Sequence, residues 1–456
     1  MSLTSMSTHV FKNDLSPLLK LAVPLALTGV VGAAASFFET LFLAHVNQET
    51  LAAGALVSWL YGTFACIIFG TLSSINVLIA HKHGANDHKG ISLVVRDGLL
   101  LSLLLAIPAF LLFWNISPLL LLLGQHPPVV LLAKSYLHAL AWGLLPNLLA
   151  MAMMEILIGL GNTRAIMAIT VFGVSLVVFF SYVLIFGRFG FPALGIAGAG
   201  WGMTISYWII AAVLSGYVVT HKEYKKYFQL VFSKNKPSFL WELVQVGVPM
   251  GIMYCFEVAF FFALTLVMGS LGSQLLAANQ IALQYMSAFM SVLGSIAQAI
   301  TVRMGHLLGA KEINSAKHAC FAGVFISTML MGIIAICYWW FPVLLISVDI
   351  DVNNPGNFEL VSDIKALFAI SALFQIVEAI RISLFGALRA LKDTHFTLLI
   401  SIISFWCIAL PVGYLLATAF HFGAVGLWYG MIIGATISVF LLSWRFKSKI
   451  LYYTPH

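Results

Sequence analysis

The sequence predicts an all-α integral membrane protein, with twelve transmembrane helices in two six-helix lobes related by a pseudo-two-fold axis along the membrane normal. Three observations carry that prediction. Of 456 residues, 61% are hydrophobic and only 9% are Asp, Glu, Lys or Arg, against about 25% charged residues in an ordinary soluble domain. The apolar residues fall into twelve runs, each able to supply the ~20 residues that a membrane helix needs. The two halves of the chain also repeat one another at a nearly constant offset.

This composition excludes a wholly soluble enzyme, a disordered chain and a disulfide-stapled secreted module. The five cysteines (Cys66, Cys255, Cys320, Cys337, Cys407) are widely spaced in apolar runs and read as small core residues, so neither a disulfide nor a metal site is expected. The first twenty residues lack the ordered basic, apolar and small-residue regions of a signal peptide. The first apolar helix is therefore expected to be retained.

In chain order the helices of the first lobe fall near 17–45, 51–80, 92–116, 130–157, 165–187 and 195–220. Those of the second fall near 240–270, 276–305, 317–346, 362–388, 396–420 and 425–446. Segments this long and apolar on every side must be helical, because lipid offers no partner for unpaired backbone groups. A β-barrel would show alternating stretches of about ten residues, and none occurs. The expected domains are an N-terminal lobe over 1–220, a cytoplasmic linker over 221–237 and a C-terminal lobe over 238–456.

Twelve spans put both termini on one side, and the net charge of +7 turns into the question of which side. Lys12 and Lys20, then Lys82, Lys89 and Arg96, then Lys222, Lys225, Lys226, Lys234 and Lys236 all fall on the side of the termini. With the remaining basic residues from Arg164 to Lys449, that side holds 19 of the 23 Lys and Arg. The opposite side holds Lys134, Arg188 and Lys365, and Arg381 is embedded. The positive-inside rule makes both termini of this multi-pass protein cytoplasmic.

The repeat is read from residues. Pro24 meets Pro249 and Leu51-Ala52-Ala53 meets Leu276-Ala277-Ala278, both at an offset of 225. Asn162-Thr163 meets Asp393-Thr394 at 231, and Gly195, Gly198, Gly202 and Met203 meet Gly423, Gly426, Gly430 and Met431 at 228. Six spans per half make the repeats parallel, an organisation found in transporters that carry cargo between two rocking lobes. The Gly-x-x-x-Gly pairs read as faces for close helix packing.

Three carboxylates lie inside apolar spans: Glu39, Glu257 and Glu378. An ionised group near the bilayer centre costs about 3 kcal/mol on insertion scales, so each calls for a use, a partner or a water-filled cavity. Glu378 and Arg381 stand at i and i+3, where they can pair on one helix face; Arg381 can also snorkel to the cytoplasmic side. Glu257, amid the aromatics of MYCFEVAFFFALT, has no local partner and is the foremost proton- or cation-binding candidate. Glu39 suits a boundary or cavity-rim role, and Glu155 an interfacial one. The histidines around His81 and the acids Asp349, Asp351, Glu359 and Asp363 read as solvated loop residues rather than metal ligands. No Walker A loop, H-E-x-x-H or nucleophile elbow is present.

These residues resemble the multidrug and toxic compound extrusion (MATE) family, its NorM-type branch in particular, over nearly the whole chain. FFETLFLAHVNQETLAAGAL (37–56) is similar to the family's first-helix acid and second-helix start, and GVPMGIMYCFEV (247–258) to its seventh helix. LAANQIALQ (276–284), VRMGHLLGA (302–310), QIVEAIRISLFGALRALKDT (375–394) and YVLIFGRFGFPALGIAGAGWG (182–202) resemble further family segments. The resemblance implies multidrug efflux, with cationic amphipathic compounds exported by antiport against sodium ions or protons, through alternating access between the lobes, without another cofactor and without an enzymatic step. It places Glu257 and Glu378 on the cation-site acids and Glu39 on the N-lobe acid. Gln280, Gln284 and Phe374 fall on cavity positions. The family usually has Asp where Glu39 and Glu378 stand, and Arg381 replaces a neutral residue, so it is a possible charge partner at the cation site. Val177 and Ser181 stand where relatives often have Asn, which weakens the expected N-lobe polar network.

The expected partners are small organic cations and the bilayer, with no nucleic acid, and the protein is expected to work as a monomer. Two rival readings remain. A lipid-linked oligosaccharide flippase of the same superfamily calls for a cavity rich in Arg and Lys, whereas one embedded Arg stands here against three acids. A polytopic membrane enzyme needs a nucleophile or metal constellation at one membrane face, and none is visible.

Overall fold

The computed structural model describes residues 3–228, 236–352 and 354–452. Among them, twelve helices are long and apolar enough to cross a membrane. They are α1 (Leu15–Ala44), α2 (Gln48–Gly84), α3 (His88–Asn115), α4 (Pro127–Gly159), α5 (Thr163–Phe186) and α6 (Ile196–Thr220), then α7 (Leu240–Leu271), α8 (Ser273–Gly309), α9 (Ile313–Trp340), α10 (Pro355–Ala390), α11 (Thr394–Thr418) and α12 (Gly423–Leu451). No strand occurs among the described residues. Each expected span falls on one of these helices, but several run further than their apolar stretch. At the starts of α2, α3 and α5 the reason is a side-chain cap, which begins the helix ahead of its apolar stretch. Asn47 accepts from the Thr50 N–H at 2.7 Å and Asp87 from the Gly90 N–H at 2.8 Å. Asn162 accepts from the Ala165 N–H at 3.4 Å. The ninth span stops short of its expected end because Pro342 opens a separate short helix, Pro342–Ile346. In the expected linker, Lys222–Phe228 forms a short helix, while residues 229–235, Lys234 among them, lie outside the described residues.

Packing divides the chain into two compact units, one of Leu27–Gly251 and one of Met1–Ala26 with Ile252–His456. Helices α1 and α7 each pass from one unit to the other two residues beyond a proline, Pro24 or Pro249. The boundaries expected from the sequence follow span order; these units follow packing.

In the unit of Leu27–Gly251, Leu43, Val57, Phe113, Leu137 and Leu140 join one apolar core. Thr204 on α6 donates its hydroxyl to the Ala139 carbonyl of α4 at 2.7 Å. Gly198 and Gly202 on α6 lie against the backbone of Leu184 and Ser181 on α5, where a Cβ would collide with main chain. In the other unit Phe260, Phe368, Phe374, Phe405 and Trp428 share a core, and Gly426 and Gly430 on α12 meet the backbone of Ala417, Ala409 and Gly413 on α11 in the same way. Both Gly-x-x-x-Gly stripes therefore act as close-packing faces.

The repeat also governs how each unit is tied off. Asn162, which opens α5, donates to the Tyr217 hydroxyl of α6 at 2.9 Å. Asp393, which opens α11, accepts from Arg445 of α12 at 2.7 Å. Asn162 and Asp393 are related by the offset of 231, and Tyr217 and Arg445 by that of 228. The chemistry changes from a neutral hydrogen bond to an ion pair, while the positions are kept.

Helix α11 departs from regular geometry over Ile403–Ala409, which is π-helical. Pro411 follows two residues later; it has no N–H to donate back into the preceding turn, and its ring crowds that turn. Single wide turns of this kind are common where a helix serves a site.

Candidate functional site

Arg381, in the second half of α10, is buried with 2% of its side chain exposed. Its guanidinium takes hold of both nearby carboxylates. Nε donates to Glu378 Oε2 at 2.7 Å, Nη2 donates to Glu378 Oε1, and Nη1 donates to Glu257 Oε1 of α7 at 2.8 Å. Ser401 of α11 donates its hydroxyl to the same Glu257 oxygen at 2.9 Å. The central carbon of the guanidinium also lies over two aromatic rings, those of Phe385 and Phe405, each centred 4.6 Å away. Phe405 comes from the π-helical turn of α11, so the local widening of that helix helps to build the site.

The geometry separates the two acids. Glu378 is 1% exposed and holds Arg381 by both of its oxygens. Glu257 is 19% exposed and uses one oxygen for both of its bonds. The i,i+3 pairing open to Glu378 and Arg381 is formed, and it is joined by a third charge from another helix. Snorkelling does not describe Arg381, whose charged end is enclosed rather than led to a membrane face.

The acid of the other unit is arranged differently. Glu39 on α1 is 7% exposed, and its Oε1 has no hydrogen-bond partner among the described residues. It lines a cavity of about 230 Å³ together with Thr40, Leu51, Gly54, Ser58 and Trp59. Near it lies a polar chain that the sequence reading missed. Asn147 on α4 donates to the Tyr61 hydroxyl on α2 at 2.8 Å, and Tyr61 shares a 3.1 Å hydrogen bond with Tyr207 on α6. The repeat could have found it, because the offset of 231 that pairs Asn162 with Asp393 also pairs Asn147 with Glu378. Val177 and Ser181, expected to weaken the polar network, are both buried; the network runs through other helices instead.

The remaining predicted residues divide. Gln280 and Gln284 are exposed on α8, on one face with Ser287 and Ser291. An exposed polar strip along a helix that spans a membrane faces water rather than acyl chains. Phe374 is fully buried, edge-on to Trp428 at 5.9 Å. Its aromatic ring belongs to the core of its unit and not to a cavity wall. Glu155 is not interfacial: it is 3% exposed and accepts from Asn76 of α2 at 2.5 Å.

A helical bundle built from two six-helix repeats, with carboxylates held inside its spans, defines a multi-pass membrane transporter rather than an enzyme. The MatE family model matches residues 24–183 and 249–415, and the chain belongs to that family. The resemblance read from the helix motifs is thereby confirmed. The probable multidrug resistance protein NorM of Pseudomonas putida is 33% identical over 439 residues, covering 96% of this chain and 95% of the relative. The protein of the same description from Pseudomonas aeruginosa is 31% identical over 438 residues, 96% of this chain and 90% of its own. Among solved structures, an outward-facing multidrug resistance MATE family transporter matches with a TM-score of 0.86 at 18% identity, over 97% of both chains. A MOP superfamily transporter from Pyrococcus furiosus matches at 0.84 and 17% identity, over 96% of both. Both likenesses establish the fold.

Proposed function

We propose that this protein is a multidrug efflux antiporter, exporting cationic amphipathic compounds against an inward flow of sodium ions or protons by alternating access of its two six-helix lobes. The observation that carries this reading is Glu39, a nearly buried carboxylate with a free oxygen, lining a cavity of about 230 Å³. Such a group can bind an ion and give it up again without dismantling an ion pair. The second set of embedded acids, Glu257 and Glu378, gives the other unit a charge-bearing centre of its own, and the water-facing strip through Gln280 and Gln284 suits the passage of polar and aromatic cargo. Glu39, Glu257 and Glu378, set against Arg381, favour cationic cargo over an anionic headgroup. The names of the NorM relatives point to the same activity. Coupling by binding of this kind needs no cofactor besides the ion, and drug and ion must weaken each other's binding by the same factor. The monomer is the working unit in this proposal. Both termini are cytoplasmic, as the distribution of Lys and Arg supports.

The test is efflux of a fluorescent cationic dye from proteoliposomes under an imposed sodium gradient and then a proton gradient, each with the membrane potential clamped. Stimulation by either gradient is the expected result. Dye movement indifferent to both gradients, in correctly inserted protein, would remove the antiport reading.

A further inference from the structure

The triad of Glu257, Glu378 and Arg381 decides more than local stability, because it restricts which cation the site can accept. We propose that Arg381 is a tethered cation that closes the Glu257–Glu378 site to sodium and leaves Glu257 able to carry a proton. The inference rests on the antiport reading and names the ion for this half of the molecule.

The argument is one of oxygen ligands and charge. Two carboxylates supply four oxygens, and a hard metal cation is held by several oxygens at once. Arg381 donates to Glu378 Oε1, Glu378 Oε2 and Glu257 Oε1. The last of these also accepts from Ser401. Of these four oxygens, only Glu257 Oε2 receives no hydrogen bond among the described residues. A single oxygen is a poor ligand set for sodium and a sufficient one for a proton.

The charge balance agrees. Two ionised carboxylates and one guanidinium leave a single negative charge. A proton added to Glu257 Oε2 brings the cluster to neutrality and leaves all three arginine bonds in place, because Glu257 Oε1 still accepts. A sodium ion would instead have to displace the guanidinium, which has nowhere comparable to go. It is 2% exposed, bonded to both carboxylates and packed over the rings of Phe385 and Phe405 at 4.6 Å each. Arginine stays protonated under any condition the protein meets, so the site cannot be vacated by titrating its resident cation. Arg389, two turns further along α10, lies over the Tyr254 ring at 5.2 Å. Glu257 is the more exposed of the two acids, as the proton-exchanging member must be.

The experiment measures binding of radioactive sodium to detergent-purified protein, which does not depend on transport. The probe is sodium ion itself, applied to the wild type, to Glu257→Gln, to Arg381→Met and to Arg381→Met/Glu257→Gln. The expected result is wild-type sodium binding no greater than that of Glu257→Gln, a gain of roughly tenfold or more in sodium affinity for Arg381→Met (a factor of ten being about 1.4 kcal/mol), and loss of that gain in the double variant. Wild-type sodium binding that disappears in Glu257→Gln would overturn the proposal, as would a monodisperse Arg381→Met protein that gains no sodium site. Should Arg381→Met fail to fold, the wild type still decides: dye efflux driven by a proton gradient, with the Glu257-dependent part unchanged when sodium replaces potassium, supports the proposal, and a sodium-driven Glu257-dependent component refutes it. Absence of dye efflux under every gradient would count against antiport while leaving the sodium-binding result to stand by itself.

Discussion

Glu378→Ala is expected to destabilise the protein far more than Glu257→Gln, although both residues touch the same arginine. Alanine at 378 removes both oxygens that hold Arg381 from its own helix and leaves a guanidinium that is 2% exposed tied to Glu257 alone. Breaking a buried ion pair by deleting one partner costs about 3–5 kcal/mol, because the other charge is stranded. Glutamine at 257 keeps a carbonyl oxygen for Arg381 and Ser401, so the loss is the difference between a charged and a neutral acceptor, about 1 kcal/mol. The gap of at least ~2 kcal/mol corresponds to a factor of roughly thirty in the folded-to-unfolded ratio. Unfolding by sodium dodecyl sulfate in mixed micelles, followed by tryptophan fluorescence, reads that difference directly. Dye efflux separates the roles further: Glu257→Gln is expected to fold and to lose ion-coupled transport. Equal destabilisation by the two substitutions, or a coupled Glu257→Gln protein, would refute the division into an anchoring acid and an exchanging acid.

Two other expectations concern helix ends. Asp97 is fully buried in α3 and accepts from the Ser238 and Phe239 N–H groups at 2.7 and 2.6 Å, just ahead of α7; Asp97→Ala removes two charge-assisted bonds, each of about 1.5–3 kcal/mol, and amide exchange at those two residues should quicken by roughly tenfold or more, unchanged exchange speaking against the role. Asp87 caps α3, and the Gly90 N–H, followed by Lys82, holds its carboxyl below the usual carboxylate range. The stabilisation it gives is complete above that range and is lost as pH falls through its folded-state value. Asp87→Ala should cost about 0.5–2 kcal/mol at neutral pH, with the gap in melting temperature from the wild type closing in acid; a gap constant from pH ~7 to pH ~3 would exclude the cap as its source.

The parts of this structure that the sequence revealed are those written in local pattern. Apolar run length located all twelve spans, and the repeat spacing paired Asn162 with Asp393 before any contact was known. Glu39, Glu257 and Glu378 stood out because charge inside an apolar run is rare whatever the tertiary structure. What stayed hidden depends on residues remote in the chain. Arg381 reaches Glu378 three residues away, which spacing allows, but it also reaches Glu257 across 124 positions, which no local rule anticipates and only the family resemblance put within view. The family resemblance put Phe374 at a cavity position; in the structure it is fully buried against Trp428, in the core of its unit. Glu155 looked interfacial from its place near a helix end, and Asn76 on another helix is what allows it to be buried. Cap residues likewise moved helix ends outward, since a polar side chain that accepts from the first turn extends a helix beyond its apolar stretch.

The passage of α1 from one compact unit to the other bears on how the chain is made. Residues 15–26 are synthesised early, yet they belong to the unit completed by Ile252–His456. Leu18 is fully buried, and it approaches the site where a side chain at Gly323 would stand. Contacts of such large sequence separation form late, because the intervening chain must be ordered before they give any return. The first part of α1 therefore has to wait in the growing protein, with Leu18, Leu21, Ala22 and Leu25 lacking their final neighbours until the second repeat emerges. Residues 15–26 thus depend for their packing on a part of the chain made well after them, and synthesis interrupted before Ile252–His456 would leave them as exposed apolar surface for quality control to recognise.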